Sequence, residues 1–98
     1  MSKISLKEFK KMMLYDVVEK NSCIEVNFCV DDCMEYDDCW LGKMPDLQKK
    51  QSIYWYGLVK DGSQAYDYNS LEEFLKVKIF NGKNIVEIWE SITLISYW

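Results

Sequence analysis

The cysteines are the residues of this chain whose types could hold a metal ion or form a disulfide. They follow the pattern Cys23-x5-Cys29-x3-Cys33-x5-Cys39. Structural zinc sites usually use closely spaced CxxC pairs, which this pattern lacks. Cys29, Cys33 and Cys39 could converge near a loop as a thiolate metal site with a nearby aspartate, or Cys29 could bridge to Cys39. We expect separate reduced thiols, because disulfides are rare in a reducing cytoplasm.

A run of acidic residues lies around the last two cysteines. An EF-hand loop would place oxygen ligands at alternate positions, with a central glycine and a closing glutamate, and that spacing is absent. A solvated loop is one interpretation. The other is a negative patch for a basic partner, because opposite charges steer association. The candidate partner-binding residues are Asp31, Asp32, Glu35, Asp37 and Asp38.

Catalytic and cofactor motifs are not found in this sequence. It has no histidine, which excludes His-based triads and imidazole metal ligands. Its four glycines are scattered, and no GxSxG, P-loop or GxGxxG stretch occurs. We therefore predict a protein that is not an enzyme and that carries no cofactor.

Composition and charge narrow the range of partners. The net charge is −4, and all 12 basic residues are lysines. Affinity for nucleic acid comes mainly from basic side chains, so we expect no nucleic-acid partner. Met1 to Lys11 contains no apolar segment like that of a signal peptide, and no run is long enough to span a bilayer. The sequence predicts a cytoplasmic protein without a membrane partner.

The stretch from Ile53 to Phe74 organises the predicted fold as a β-hairpin that leads into a helix. Asp61-Gly62 is a strong signal for a type I′ turn. A two-residue turn there would place Tyr66 opposite Gly57, with the ring covering the glycine, and Tyr68 opposite Trp55. The face that we expect to be buried holds Ile53, Trp55, Val59, Tyr66 and Tyr68.

The remaining elements are predicted from periodicity and capping signals. Capping-box patterns begin helices at Ser5, Ser70 and Asn84. The helices are predicted over Leu6–Lys20, Leu71–Lys76 and Ile85–Ser91. Strands are expected over Cys23–Val30, around Cys39–Gly42 and over Thr93–Tyr97, and a loop is expected over Lys43–Ser52. A turn centred near Met34 would place Phe28 opposite Trp40 and Cys29 opposite Cys39.

These elements predict one α+β domain over residues 1–98. Its antiparallel sheet would have four or five strands, with the helices packed on one face. Three segments, Asp38–Pro45, Tyr54–Leu58 and Tyr66–Phe74, resemble a family of small uncharacterised bacterial proteins. The resemblance covers about Trp40 to Trp89 and implies a stand-alone bacterial domain, with no activity or ligand attached.

The leading functional hypothesis is a small cytoplasmic protein-interaction module that inhibits or sequesters a basic protein. The alternative is a small-molecule or metal-binding domain. It would use an aromatic pocket around Trp40 or Trp55, or the cluster of Cys29, Cys33 and Cys39. The chain also contains four Trp, seven Tyr and four Phe, which is many for its length. We therefore also consider a homodimer, in which the second copy would cover any apolar sheet face left open.

Overall fold

The computed structural model describes residues 4–59 and 64–97. Over these residues the chain forms one five-stranded antiparallel sheet and three short α-helices, which confirms the α+β prediction. None of these helices has the length and apolar character required to cross a lipid bilayer. The strand order is β4-β3-β2-β1-β5. The elements are α1 (Leu6–Met12), α2 (Val17–Lys20), β1 (Ile24–Val30), a 3-10 helix (Met34–Tyr36), β2 (Cys39–Asp46), β3 (Gln51–Gly57), β4 (Ala65–Tyr68), α3 (Leu71–Lys76), a second 3-10 helix (Trp89–Ser91) and β5 (Ile92–Tyr97).

The single helix predicted over Leu6–Lys20 is wrong, because this segment forms two helices separated by an elbow. Reciprocal 3.1 Å hydrogen bonds between Ser5 and Glu8 form the predicted capping box of α1. The Asp16 carboxylate accepts a 3.0 Å bond from the Glu19 N–H and so begins α2. A second N-cap inside the periodic stretch therefore marks the break, since N-cap residues have extended backbone.

A buried lysine holds this elbow against the sheet. Lys43 of β2 is 4% exposed, and its Nζ donates to the carbonyls of Met13 at 2.9 Å and Tyr15 at 2.7 Å. The same Nζ lies 5.1 Å from the centre of the Tyr54 ring. Burial lowers the pKa of Lys43, while the carboxylate of Asp16 acts in the opposite direction. The lysine thus satisfies carbonyls that the end of α1 leaves without helical partners.

The register predicted for β1 and β2 is wrong by one residue. Phe28 lies opposite Cys39, whereas we predicted that it would face Trp40 and that Cys29 would face Cys39. The 3-10 helix Met34–Tyr36 occupies the loop where a turn centred on Met34 was expected. A slip of one residue moves a side chain to the opposite face of a sheet. Cys39 therefore lies on the inner face and Cys29 on the outer face.

The loop predicted over Lys43–Ser52 is also wrong, because most of this segment is strand. β2 continues to Asp46 and β3 begins at Gln51, so only a tight turn over 47–50 remains. Pro45 pairs with Ser52 inside this ladder. It lies beyond the part of β2 that pairs with β1, so its missing N–H costs no bond with that strand.

The hairpin of β3 and β4 forms, but its predicted register is wrong. We predicted Tyr66 opposite Gly57 and Tyr68 opposite Trp55; each tyrosine is shifted by one position, and Tyr66 pairs with Tyr56. The predicted turn at Asp61-Gly62 lies outside the described residues. The last bond before it, 3.0 Å from the N–H of Leu58 to the carbonyl of Gln64, encloses residues 59–63. The observed register of the described strand residues therefore differs by one residue from the register that we predicted.

This shift reverses the predicted core face of β3. Tyr54, Tyr56 and Leu58 are buried. Ile53, Trp55 and Val59, which we placed in the core, do not belong to it, while Tyr66 and Tyr68 do pack against it as predicted. Side chains alternate between the faces of a strand, so Trp55 points outward.

The core lies on the inner face of the sheet, where buried side chains of all three helices join those of the strands. The ring of Phe74 in α3 stacks on Tyr56, with centroids 4.1 Å apart and planes 5° apart. The Tyr56 hydroxyl donates a 2.7 Å bond to the Phe74 carbonyl. The core consists of Phe9, Met13, Val17, Ile24, Val26, Phe28, Tyr36, Cys39, Leu41, Tyr54, Tyr56, Leu58, Phe74, Phe80, Ile85, Trp89, Ile92 and Leu94.

The helix Leu71–Lys76 is confirmed, whereas the helix predicted over Ile85–Ser91 is wrong. Both capping-box bonds between Asn84 and Glu87 are present, at 3.0 and 2.9 Å. The chain nevertheless makes turns and then the 3-10 helix Trp89–Ser91. β-Branched residues dominate positions 85–88, and they lose side-chain freedom in a helix, so the cap alone does not extend the turn.

Candidate functional site

The cysteines do not converge in the structure. The Cys39 thiol lies on the inner face and donates a 3.2 Å bond to the carbonyl of Leu58, whereas Cys29 lies on the outer face. Cys33 is half-buried in the loop, and Cys23 is exposed just before β1. All four are free thiols. Within residues 4–59 and 64–97, no three Cys, Asp or Glu side chains are placed to share a metal ion.

The electrostatics of the two central cysteines favour neutral thiols. Burial raises the pKa of Cys39 to about 12, with a further contribution from Asp38. Burial also raises the pKa of Cys29, and the carboxylates of Asp31 and Asp37 add to this effect. Because the thiolate is the nucleophile and the metal ligand, these two residues are poorly suited to either chemistry.

Three of the five predicted partner-binding acids lie at the border of the outer face. Asp31 accepts a 2.7 Å bond from the hydroxyl of Thr93, which pairs with Cys29 on that face. Asp38 accepts a 2.9 Å bond from the side-chain amide of Asn27, also on that face. Asp37 lines the same depression as Cys29 and Asp31, and its carboxylate contributes to the raised pKa of Cys29.

The other two predicted acids, Asp32 and Glu35, lie in the loop that follows β1. Asp32 has a positive φ of 58° and is exposed in the turn after β1. Glu35 accepts a 3.4 Å bond from the side chain of Gln64. Between the acids, Met34 is 90% exposed. A shallow depression of about 450 Å³ here is lined by Cys29, Val30, Asp31, Asp32, Cys33, Met34 and Asp37.

The outer face of β2 and β3 carries an apolar cluster that we call the outer-face patch, made of Trp40, Met44, Ile53 and Trp55. Met44 lies directly opposite Ile53, and Trp40 is diagonal to Trp55. Diagonal neighbours on one face lie about 7–8 Å apart, within reach of large side chains. Trp40 is 39% exposed and Met44 38% exposed. The four side chains therefore form a contiguous surface.

Gly42 explains how the Trp55 ring lies on this face. The two residues are opposite each other on β2 and β3. A Cβ atom at Gly42 would come within 2.6 Å of the Trp55 ring and 2.1 Å of the Ile24 carbonyl oxygen. The ring therefore occupies the space that a side chain would take. The predicted device of an aromatic ring over a cross-strand glycine does occur, but with Trp55 and Gly42.

Every charge on the outer face of the described strands is negative. Glu25, Gly42, Trp55 and Asp67 form one row across four strands, with the two carboxylates at its ends. Asp46 lies farther along β2. The only lysine in these strands is Lys43, which points inward. The surface thus combines exposed tryptophan and methionine with an acidic frame.

The sequence raised Trp40 and Trp55 as binding residues only in the lining of a ligand pocket, and it did not predict that they form an apolar surface with Met44 and Ile53. Both faces of β3 are apolar, Ile53 and Trp55 on one and Tyr54 and Tyr56 on the other, so alternation could not choose between them. A usable signal was the pairing of a glycine with a tryptophan. Gly42 and Trp55 become neighbours once the segment 43–52 is interpreted as a hairpin.

Comparisons of the chain with protein-family models, with curated proteins and with solved structures give no match. The resemblance to small uncharacterised bacterial proteins therefore stays a prediction.

Proposed function

We propose that this protein is a protein-interaction module that binds a basic protein partner through the outer face of its sheet. The observation that supports this most strongly is the outer-face patch. Exposed Trp40 and Met44 lie on a surface whose only charged strand residues are acidic. Tryptophan and methionine are enriched in protein interfaces, while polar residues form the rim. Asp31, Asp37 and Asp38 extend that rim beyond the end of β1.

The shape of the surface favours a macromolecular partner over a small molecule. Small-molecule sites are concave and bury most of the ligand. The patch is instead spread along two neighbouring strands, and its most exposed members, Trp40 and Met44, remain about two-fifths exposed. A second copy of this chain would present the same acidic frame, and like charges across an interface oppose association. A partner with lysine and arginine around an apolar centre fits better, and occupying that partner's surface would sequester it.

Parallel peptide selections test this proposal. Short random peptides are selected against the wild-type chain, against a face variant with Trp40→Ser and Met44→Ser, and against a control variant with Leu14→Ser and Leu47→Ser. The control residues are 67% and 58% exposed and lie outside the sheet. Basic peptides should bind the wild-type and control chains alike. They should bind the face variant at least about ten-fold more weakly, since central aromatic anchors contribute about 2 kcal/mol or more.

Two outcomes would contradict the proposal. One is a set of selected peptides with no excess of lysine or arginine, and the other is binding to the face variant as tight as binding to the wild-type chain. Sedimentation of the wild-type protein at several concentrations tests whether a second copy of the chain occupies the patch instead. A dimer that Trp40→Ser dissociates would assign the patch to a second copy.

A further inference from the structure

We infer that the row Glu25–Gly42–Trp55–Asp67 is a binding site, which we call the cation seat, for one lysine or arginine side chain of the partner. That side chain would lie over the Trp55 ring, between the carboxylates of Glu25 and Asp67. This inference rests on the proposed function, because it names the group that the docking surface recognises. It goes beyond that function by assigning a specific contact to one row of the sheet.

The position of the Trp55 ring supplies the π surface. Gly42 has no side chain, so the ring lies across the β2 backbone, with ring atoms 2.6 and 2.7 Å from the place of the missing Cβ. The ring therefore covers the backbone of Gly42 on the outer face of the sheet, and the proposal requires that its far side be open to the partner. Cations bind over the face of an aromatic ring, and tryptophan is the strongest of the three aromatic side chains.

The two ends of the row supply the charge. Glu25 pairs with Gly42, and Asp67 pairs with Trp55, so the carboxylates flank the ring on both sides. Both side chains are exposed. Neighbouring strands lie about 4.8 Å apart, so each carboxylate is one strand away from the residue beside it in the row. A cation above the ring would then lie between two negative charges, and no lysine of the described strands lies on this face to compete for them.

A partner side chain fits this seat better than the protein's own lysines do. Lys43, the only lysine of the described strands, is bound on the opposite face by the carbonyls of Met13 and Tyr15. Among the other described lysines, Lys20 ends α2 ahead of β1, and Lys49 and Lys50 lie in the turn between β2 and β3. The negative charge of the row is therefore not neutralised by any strand residue among those described.

The test is a titration of the wild-type protein, monitored by the indole N–H signals of its tryptophans in NMR spectra at about 0.15 M salt, where long-range charge effects are screened. The probes are tetra-arginine and tetra-lysine peptides, with tetra-citrulline and tetra-norleucine as neutral counterparts. The cationic peptides should shift the Trp55 signal saturably. The neutral peptides should not, and the signal of buried Trp89 should stay in place.

Variants separate a cation seat from general attraction. Glu25→Gln with Asp67→Asn should weaken binding of tetra-arginine several-fold, whereas Glu90→Gln, an exposed acid outside the row, should leave it unchanged. Trp55→Leu keeps apolar area but removes the π face, and should weaken binding about two- to five-fold. If that variant fails to fold, the comparison of arginine with citrulline on the wild-type chain still decides.

The results distinguish the seat from the wider proposal. Equal shifts with norleucine and lysine peptides would overturn the seat, while leaving an apolar docking face. Shifts confined to the amides of Asp31–Asp38 would also overturn it, while keeping a basic partner at the acidic loop. If no cationic peptide perturbs either region, the seat and the basic partner are both rejected.

Discussion

Adding one methyl group at Gly42 tests the position of Trp55 and the registers of the central strands. In Gly42→Ala, the new Cβ would lie 2.1 Å from the Ile24 carbonyl oxygen and 2.6 Å from the Trp55 ring. Overpacking typically costs about 1–3 kcal/mol. Because the closest atom belongs to the backbone and cannot rotate away, we expect a loss of about 3 kcal/mol.

The matched control is Gly57→Ala on the same face of the adjacent strand. A Cβ at Gly57 would meet no heavy atom within 4 Å. This variant should stay within about 0.5 kcal/mol of the wild type. The comparison therefore removes the general effect of replacing glycine by alanine in a strand.

Thermal and urea unfolding, followed by far-ultraviolet circular dichroism, would measure both changes. A domain of this size loses about 4–8 °C in Tm per kcal/mol, so Gly42→Ala should melt about 12–24 °C lower. Gly57→Ala should melt within a few degrees of the wild type. Equal stability of the two variants would refute the packing of Trp55 on Gly42, and with it the geometry of the outer-face patch.

Three further predictions concern the inner face and the thiols. Lys43→Met should destabilise the fold by about 1–3 kcal/mol in urea unfolding, because the carbonyls of Met13 and Tyr15 lose a buried donor; an unchanged midpoint would contradict the elbow contact. Folding raises the pKa of Cys39 from 9.0 to about 12, so its stabilisation is complete below pH 9 and is lost as pH rises toward 12. Between about pH 9 and 12, the wild type should lose up to about 1.4 kcal/mol per pH unit more than Cys39→Ala does, and parallel pH profiles would contradict this. A thiol reagent should label exposed Cys23 rapidly in the native protein and Cys39 only after unfolding; fast labelling of Cys39 would show that it is not buried.

Local signals predicted much of the secondary structure. Ser5 with Glu8 does cap α1, and Ser70 begins α3 by accepting a 3.1 Å bond from the N–H of Glu73. These hydrogen bonds join residues that are only three positions apart, so a short stretch of sequence is enough to predict them. The same holds for the strand Ile24–Val30, whose alternation places one clear set of apolar residues inward.

The registers could not be predicted, because periodicity within a strand does not specify how that strand is aligned with its neighbour. The observed register of β3 and β4 differs by one residue from the predicted one and places Trp55 and Tyr66 on opposite faces. The register of β1 and β2, which the 3-10 helix Met34–Tyr36 connects, likewise places Cys29 and Cys39 on opposite faces. Each slip preserves the alternating pattern and exchanges its two faces.

The candidate site was predicted in part for the same reason. The acidic loop is visible in composition alone, and the structure places Asp31 and Asp38 beside the outer face. The apolar part of the surface was hidden, because Trp55 was assigned to the interior. An apolar residue in a strand with two apolar faces gives no indication of which face a helix will cover.

The measurement that tests the central claim most directly is the location of a bound basic peptide on the wild-type chain. Cross-saturation from an unlabelled selected peptide to the labelled protein reports which side chains and amides the peptide contacts. We predict saturation at Trp40, Met44 and Trp55, and none along α1 or α3. Saturation along the helices, with no saturation of the side chains on the outer face, would contradict the account.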